Sequence, residues 1–480
     1  MSTSSINPLS SMTDALASSN SSSGTTSSSS GTSVTTGTGL GQGIDVQQFV
    51  QYAVANQQAT ITNLQNQEAT LGTQNNELST ISSDFTTLEN AVQALNDPLG
   101  ALAAQSVSSS DSSLVQATAS SAATTGAHTI SVTNLATTAS WYTDEVAASN
   151  TALAAGDTIN VNVGGTQVAS VTTDSSTNTL TSIAAAINNQ TSAVHASVVT
   201  DANGARLSLV SATSGAPGDI AVTGSLHETD TNSTAVNFNQ AVQGKNAVLT
   251  VDGMPVQSTS NTVTGVIPGV TLSLLGPTGS DNPVSLNVTQ DTSQATNAIT
   301  SFVNAYNAVT TEINNQFNVT SSSSGGPLEN DDTLRQVQSM LLSAVSSSTT
   351  GNNGIVNLAS MGINMNDDGT LTIDNNALSS ALASNASAVQ NFFQNATSGF
   401  ASQFDSAIQT INDPTTGMLA IDQQSNTTTN QQLNQQITDL QAALVIQEQQ
   451  LTTTYSQVNT TLQELPMLEN QLSQQLAGIA

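Results

Sequence analysis

Residues 64–96 read LQNQEATLGTQNNELSTISSDFTTLENAVQALN. Leu64, Leu71, Leu78, Phe85 and Val92 recur every seven residues. Ile81, Leu88 and Leu95 form a second seven-residue series, three positions behind the first. Paired apolar series at heptad spacing mark a helix that packs along a seam. From Leu78 to Leu95 both seam positions are apolar, which predicts a core helix. From Thr60 to Gln74 one of the two is polar, at Thr60, Gln67 and Gln74, which predicts a weaker coil that needs partners. Upstream, Asp45 suits a helix N-cap, and Val46, Phe49, Val50 and Val54 make a short apolar face. Downstream, Asp97-Pro98 stops the helix near Asn96, because proline disfavours helical geometry in the residue before it.

The other end of the chain repeats the pattern. Ile437, Leu444, Leu451, Val458, Leu465 and Leu472 form an unbroken heptad series within a helix expected from Asn426 to Gln475. Pro466 lies inside it, removes one backbone hydrogen bond and predicts a kink. Two heptad segments flanking a β-rich middle suggest a rod closed from both termini with a head inserted. The simplest reading of the heptads is an intramolecular helix pair. Away from the seam, however, Thr60–Gln74 and Gln431–Gln475 are rich in Gln and Asn, and a lone pair of that composition is marginal. Association between chains is the natural remedy. The candidate assembly residues are therefore Leu64, Leu71, Leu78, Phe85, Ile437, Leu444, Leu451, Val458, Leu465 and Leu472.

Between the ends the period changes. Ser106–Ala119 and His128–Leu135 alternate as strands do, with Gly126 between them. Asp157–Val171 contains Gly164-Gly165 at a hairpin turn, and Leu180–Ile187 is a short helix. Val194–Val199 and Arg206–Val210 flank the turn Asp201-Ala-Asn-Gly204. Ala247–Val288 is a further β block with turns at Asp252-Gly253 and Pro268-Gly269. Helical spacing returns at Ala295, continues through Leu334, Val337, Leu341 and Val345, and covers Leu378–Phe393 and Phe400–Ile411. Ser321–Gly326 reads as a flexible loop.

The expected class is α+β and multidomain: a terminal coiled-coil leg and a helical bundle built from both chain ends, with inserted β-rich head domains. Residues 1–38 form a Ser/Thr/Gly-rich tail, expected to be disordered because it cannot bury enough apolar surface to offset chain entropy. Residues 39–75 with 426–480 form the leg, and 76–103 with 290–425 the helical domain. Residues 104–145 with 245–289 form one head domain, and 146–244 the second.

Composition narrows the function. The 480 residues allow about three domains. The apolar fraction is 37% and the aromatic fraction only 3%, so small side chains do much of the packing. Arg206, Lys245 and Arg335 are the three basic residues, against 33 acidic ones. Nucleic-acid binding needs cations to displace condensed counterions, so this balance excludes it, and electrostatic docking to anionic membranes with it. So few charges suit an acidic exterior. There is no cysteine, hence no disulfide and no thiolate chemistry. No apolar run approaches the roughly 20 residues of a membrane span. Residues 1–33 lack the basic and apolar regions of a cleavable secretory signal.

Candidate chemistry is sparse. Asn364-Met-Asn366-Asp-Asp368-Gly369 resembles the opening of a calcium loop, but its twelfth position is Asn375 instead of the bidentate Glu, and a hairpin turn is the better reading. His128, His195 and His227 have no partner at ligand spacing, so zinc is not indicated. No Gly-x-Ser-x-Gly elbow, P-loop or dinucleotide fingerprint is present. Trp141 with Tyr142 reads as a packed aromatic pair. The chain is expected not to be an enzyme and to need no cofactor or metal.

Several blocks together resemble one family. Gly39-Leu-Gly-Gln-Gly-Ile-Asp45 is similar to an N-terminal signature, as is the following helix ending at Asn96-Asp97-Pro98. Asn246-Ala-Val-Leu-Thr-Val-Asp-Gly253, with Asn261-Thr-Val263 and Val266-Ile-Pro-Gly-Val-Thr271, resembles a head-domain strand motif. Phe302-Val-Asn-Ala-Tyr-Asn307, Gly326-Pro-Leu328 through Thr333-Leu-Arg335, Leu358-Ala-Ser-Met-Gly-Ile363 and Asp368-Gly-Thr-Leu371 follow in order. In these blocks the chain resembles the flagellar filament cap family, also called hook-associated protein 2 or FliD.

The resemblance implies a leg, a helical domain and two β-rich heads. It implies export through the flagellar type III machinery with a chaperone, and an extracellular place at the distal filament tip. It implies a ring-shaped homo-oligomer, usually a pentamer, beneath which exported flagellin folds and is inserted. The scarcity of Lys and Arg departs from the family and leaves ring contacts to hydrogen bonds and apolar surface. Pro466 in a leg helix departs from it too. The competing reading is a Ser/Thr-rich surface adhesin or another extracellular structural protein.

Overall fold

The computed structural model describes residues 45–278, 282–318 and 325–477. The expectations for the tail at 1–38 and for most of the loop at 321–326 fall outside those residues. Helix α1 runs Val46–Asn96. The Asp45 carboxylate accepts hydrogen bonds from the Gln47 and Gln48 N–H groups at 3.1 Å each, satisfying two of the open donors of the first turn. The helix stops before Asp97, as the following proline requires.

The chain then enters strands β1 (Gln105–Ser109), β2 (Val115–Ala119), β3 (Gly126–Asn134) and β4 (Thr138–Thr143). Strands β5 (Thr158–Val163) and β6 (Thr166–Thr172) form a hairpin whose turn is Gly164-Gly165, both at positive φ. Helix α2 (Leu180–Gln190) follows, opened by a capping box between Thr179 and Ser182. Strands β7 (Val194–Thr200) and β8 (Ala205–Ser214) flank the Asp201–Gly204 turn. Next come β9 (Ile220–Gly224), the short β10 (Leu226–His227) and β11 (Ala235–Val236), and β12 (Phe238–Val242). Strands β13 (Ala247–Val251), β14 (Met254–Ser258), β15 (Thr262–Ile267), β16 (Val270–Leu274) and β17 (Val284–Gln290) complete the β region.

These strands build two cores. A five-stranded sheet of order β1-β17-β3-β13-β14 and a three-stranded sheet of order β15-β16-β2 enclose Ile130, Val132, Leu249, Leu272 and Leu286. A four-stranded sheet of order β12-β4-β8-β7 and a three-stranded sheet of order β6-β5-β9, with α2, enclose Ile159, Val161, Ile183, Ile187, Leu207 and Leu209. Trp141 on β4 packs against this second core and donates its indole N–H to the Ile220 carbonyl at 2.7 Å, linking its two sheets. The second core begins at Ala139, ahead of the boundary expected at 146. The crossing from β3 to β4 contains neither Gly nor Pro, so no turn signal marks it.

Helices α3 (Thr292–Phe317) and α4 (Asp332–Val345) follow, capped by Asp291 and Asp331. Strands β18 (Ile363–Met365) and β19 (Leu371–Ile373) form the hairpin expected around Asp368-Gly369. Asp368 is consumed by that turn: its carboxylate accepts from the Thr370 N–H at 3.0 Å and hydroxyl at 2.6 Å. The stretch 378–393, read as one helical run, is two helices, α5 (Asn375–Ser384) and α6 (Ala386–Gln394), broken at Asn385. Helix α7 (Phe400–Asn412) precedes the last helix, α8 (Met418–Ala477), which continues through Pro466. Helix α8 starts before the expected Asn426. The polar run Gln423–Asn430 carries no apolar period to reveal it, while Leu419 is fully buried in the helical core.

The helical core joins both chain ends. Leu78, Ile81, Phe85, Leu88, Val92 and Leu95 of α1 pack with Ile299, Phe302, Tyr306 and Val309 of α3 and with Phe400, Phe404 and Ile408 of α7. Phe302 meets Phe400 and Phe404 edge-on, at centroid separations of 5.7 and 5.5 Å. The chain divides into two compact units at Ala69/Thr70 and Asn430/Gln431. Residues 70–430 hold the β regions and the helical core. The start of α1 and the end of α8 form the terminal unit.

Candidate functional site

Within the terminal unit α1 and α8 run antiparallel. Phe49 meets Tyr455 at 5.8 Å between ring centroids, Gln57 donates to Gln447 at 2.9 Å, and Asn434 donates to Glu68 at 2.9 Å. The seam is small. Val54, Ile61, Ile437 and Leu444 are buried, with Leu64, Leu440 and Leu451 partly buried against them.

The ten candidate residues separate into groups. Leu78 and Phe85 belong to the core of the larger unit. Leu71 is half-buried. Leu64, Ile437, Leu444 and Leu451 make the terminal seam. Val458, Leu465 and Leu472 are exposed, at 43%, 49% and 60%. Leu468 beside them is 60% exposed, and Leu462 is half-buried.

Four contributors to the seam are absent from the expected set: Val54, Ile61, Leu440 and the Phe49–Tyr455 pair. The signal was in the spacing. Val54 and Ile61 are seven apart, and Ile61 lies three before Leu64. The second seam row of the leg is thus Val54–Ile61–Glu68, not Thr60–Gln67–Gln74. Thr60 and Gln67 are exposed, and Gln74 instead donates to the Pro327 carbonyl at 3.0 Å. In the larger unit the second row is Ile81–Leu88–Leu95, displaced by one residue from a continuation of the leg row. One helix therefore changes its packing face along its length.

The titratable groups make structural contacts. His128 pairs with Asp252 at 2.8 Å, and Asp252 also accepts the Thr129 N–H, so both contacts hold its carboxyl below the usual range. His227 pairs with Asp157 at 3.0 Å. Arg206 pairs with Glu145 at 2.7 Å. Arg335 lies 4.8 Å from the Phe317 ring centroid and donates to the Glu329 carbonyl. Among the described residues no group of three or more His, Asp or Glu could hold a metal ion, and no helix is long and apolar enough to cross a membrane.

What the site offers is an under-filled helical seam continuing into an exposed apolar stripe. Known proteins are similar to this chain in sequence and fold. The family model for the N-terminus of flagellar hook-associated protein 2 matches residues 42–139, and that for its C-terminus matches 244–466. B-type flagellar hook-associated protein 2 of Pseudomonas aeruginosa is 30% identical over 334 residues, covering 65% of this chain and 70% of the relative. The chain belongs to the flagellar hook-associated protein 2 family. The Escherichia coli K12 member is 29% identical over 375 residues, covering 73% of this chain and 78% of that one. The crystal structure of the D1-D2-D3 domains of the flagellar cap protein FliD from Escherichia coli aligns with a TM-score of 0.59 at 27% identity, covering 72% of this chain and 99% of that one. The C-terminal hook-associated protein 2 match ends at Pro466, so the last part of the exposed stripe lies beyond it.

Proposed function

We propose that this chain caps the distal end of a bacterial flagellar filament, outside the cell, and promotes folding and insertion of exported flagellin. Residues 70–430 act as the lid. They close into a ring of identical copies, a pentamer on the family pattern, and the terminal unit is the leg. The observation that carries the reading is the leg seam, which uses few buried apolar residues and leaves Val458, Leu465 and Leu472 uncovered. A processive cap must grip and release, and a marginal helix pair with spare apolar surface suits that cycle. In this reading Leu64, Leu71, Ile437, Leu444 and Leu451 hold the leg together. Val458, Leu465 and Leu472 meet neighbouring chains, while Leu78 and Phe85 anchor the lid. Export proceeds through the flagellar type III machinery with a chaperone, and the role is structural, not enzymatic.

Negative-stain imaging of the purified full chain tests the assembly. Rings bearing legs are the expected particles. Isolated rods or fibres would favour the adhesin reading and remove the ring.

A further inference from the structure

We propose that Asn188 and Gln190, two amides in the last turn of α2, guard the strand edges of the second β core against pairing with another copy of the chain. Strand β7 ends the sheet β12-β4-β8-β7, and β6 ends the sheet β6-β5-β9. In an antiparallel ladder the last strand turns the N–H and C=O of every second residue outward. Such a row is a template for a strand of another chain.

One amide interrupts each row. Asn188 Nδ2 donates to the Ala196 carbonyl at 2.7 Å, and its Oδ1 accepts the Ala196 N–H at 2.8 Å. Gln190 Nε2 donates to the Ser170 carbonyl at 2.9 Å, and its Oε1 accepts the Ser170 N–H at 2.9 Å. Each side chain thus presents the donor and the acceptor that a neighbouring strand would present. Ala196 lies near the middle of β7, so a strand laid along that edge must displace Asn188. Residues two apart on a helix project about 200° apart, which lets one helix end serve both sheets. The buried face Leu180, Ile183, Ala184 and Ile187 and the Thr179–Ser182 capping box fix α2 in place. Asn188 and Gln190 themselves are exposed, so neither is needed to fill the core.

The two strands have sequences that need a guard. Strand β7 reads VHASVVT and β6 reads TQVASVT. Neither contains Pro, Gly, Lys, Arg, Asp or Glu, and both are rich in β-branched residues. Segments of that kind pair edge to edge most readily. Lysine on the edge is a common protection, but the one lysine of this chain, Lys245, lies outside both strands. Other edges use other devices. Strand β14 carries Pro255, which has no N–H to offer, and the pairing of β12 slips at a bulge between Gln240 and Val242. On β6 and β7 the α2 amides take that part. Guarding does not depend on the capping role.

Full-length Asn188→Ala/Gln190→Ala protein, compared with the unaltered chain at low and high concentration, tests this. Hydrogen exchange is read in peptides covering 166–172 and 194–200, and particle size by sedimentation. At low concentration the Ala196 and Ser170 N–H groups should exchange at least about tenfold faster than in the unaltered chain. At high concentration that exchange should slow as larger particles form, because a strand of a second copy replaces the amides. Adding Ser170→Lys and Val199→Lys, at two exposed positions, puts charge on both edges. Particle size should then return to that of the unaltered chain while exchange stays fast, a rescue that a role in stability alone would not show. If the double variant loses protection throughout α2, Gln190→Ala alone, whose contact is solvent-exposed, repeats the comparison at 166–172. Fast exchange at every concentration with unaltered particle size overturns the proposal. So does association that persists after the two lysines are added.

Discussion

Asp422 on α8 has a carboxyl pushed up to about 7, first by burial and then by the hydrogen bond and negative charge of Asp331. Asp331 is committed to the α4 N-terminus, accepting the Leu334 N–H at 2.8 Å. The Oδ2 atom of Asp422 is buried and has no hydrogen-bond partner, so protonation spares the site a second bare charge beside Asp331. Arg335, a helical turn along α4, is turned to the Glu329 carbonyl and the Phe317 ring. The sign follows from the folded value lying above the unfolded one. The pair's contribution is fully present below about pH 4. It is lost as pH rises through about 7. Asp422→Asn should flatten this dependence and raise stability at pH 8 by about 1 kcal/mol, after allowance for partial solvent screening. Urea midpoints at pH 5 and pH 8 check it.

Asp291 works in the opposite sense. Hydrogen bonds from Ser293 and Gln294 at the start of α3 hold its carboxyl low. Its contribution is present above the unfolded value near 4 and is lost on acidification below that. Asp291→Ala should cost about 1 kcal/mol at pH 7 in thermal unfolding, and less at pH 3. A Ser/Thr/Asp vocabulary at helix starts and turns was readable from the chain, as Asp45 and Asp252-Gly253 show. The Asp331–Asp422 pair was not, because the two are ninety-one positions apart and neither sits in a motif.

At the scale of elements, α1 carries the main lesson. Its extent, its stop before Asp97 and its committed row Ile81–Leu88–Leu95 were legible because each seam position is apolar. The leg row was not, because Glu68 breaks the apolar series after Val54 and Ile61 and the packing face shifts by one residue along the helix. The start of α8 was hidden for a related reason: residues 423–430 are uniformly polar, and the helix there is held by contacts such as Asn75 to Thr427 at 3.1 Å. The β hairpins were readable wherever Gly supplied a positive φ, and the β3–β4 crossing was missed where none was needed. Energies divide along the same line. Phe85→Ala should destabilise the larger unit by about 3–5 kcal/mol, read as a lower melting temperature. Leu444→Ala should cost about 2–4 kcal/mol, felt as faster hydrogen exchange at 50–64 and 437–451 with the larger unit's protection unchanged.

For the whole molecule, membership of the hook-associated protein 2 family and the division into two compact units give the functional account its shape. The larger unit has three substantial apolar cores and few cations, so the proposed ring would rest on hydrogen bonds and apolar contacts. Ring formation should accordingly respond weakly to salt, a prediction that sizing the assembly at low and high ionic strength checks. The central claim is that the terminal unit couples a folded lid to filament growth. Its most direct measurement is the fate of flagellin in cells lacking their own cap protein, supplied with either the full chain or one truncated after Asn430. The account predicts filaments with the full chain, and flagellin released as monomer with the truncated chain although residues 70–430 remain folded. Filaments of equal length in both strains would contradict it.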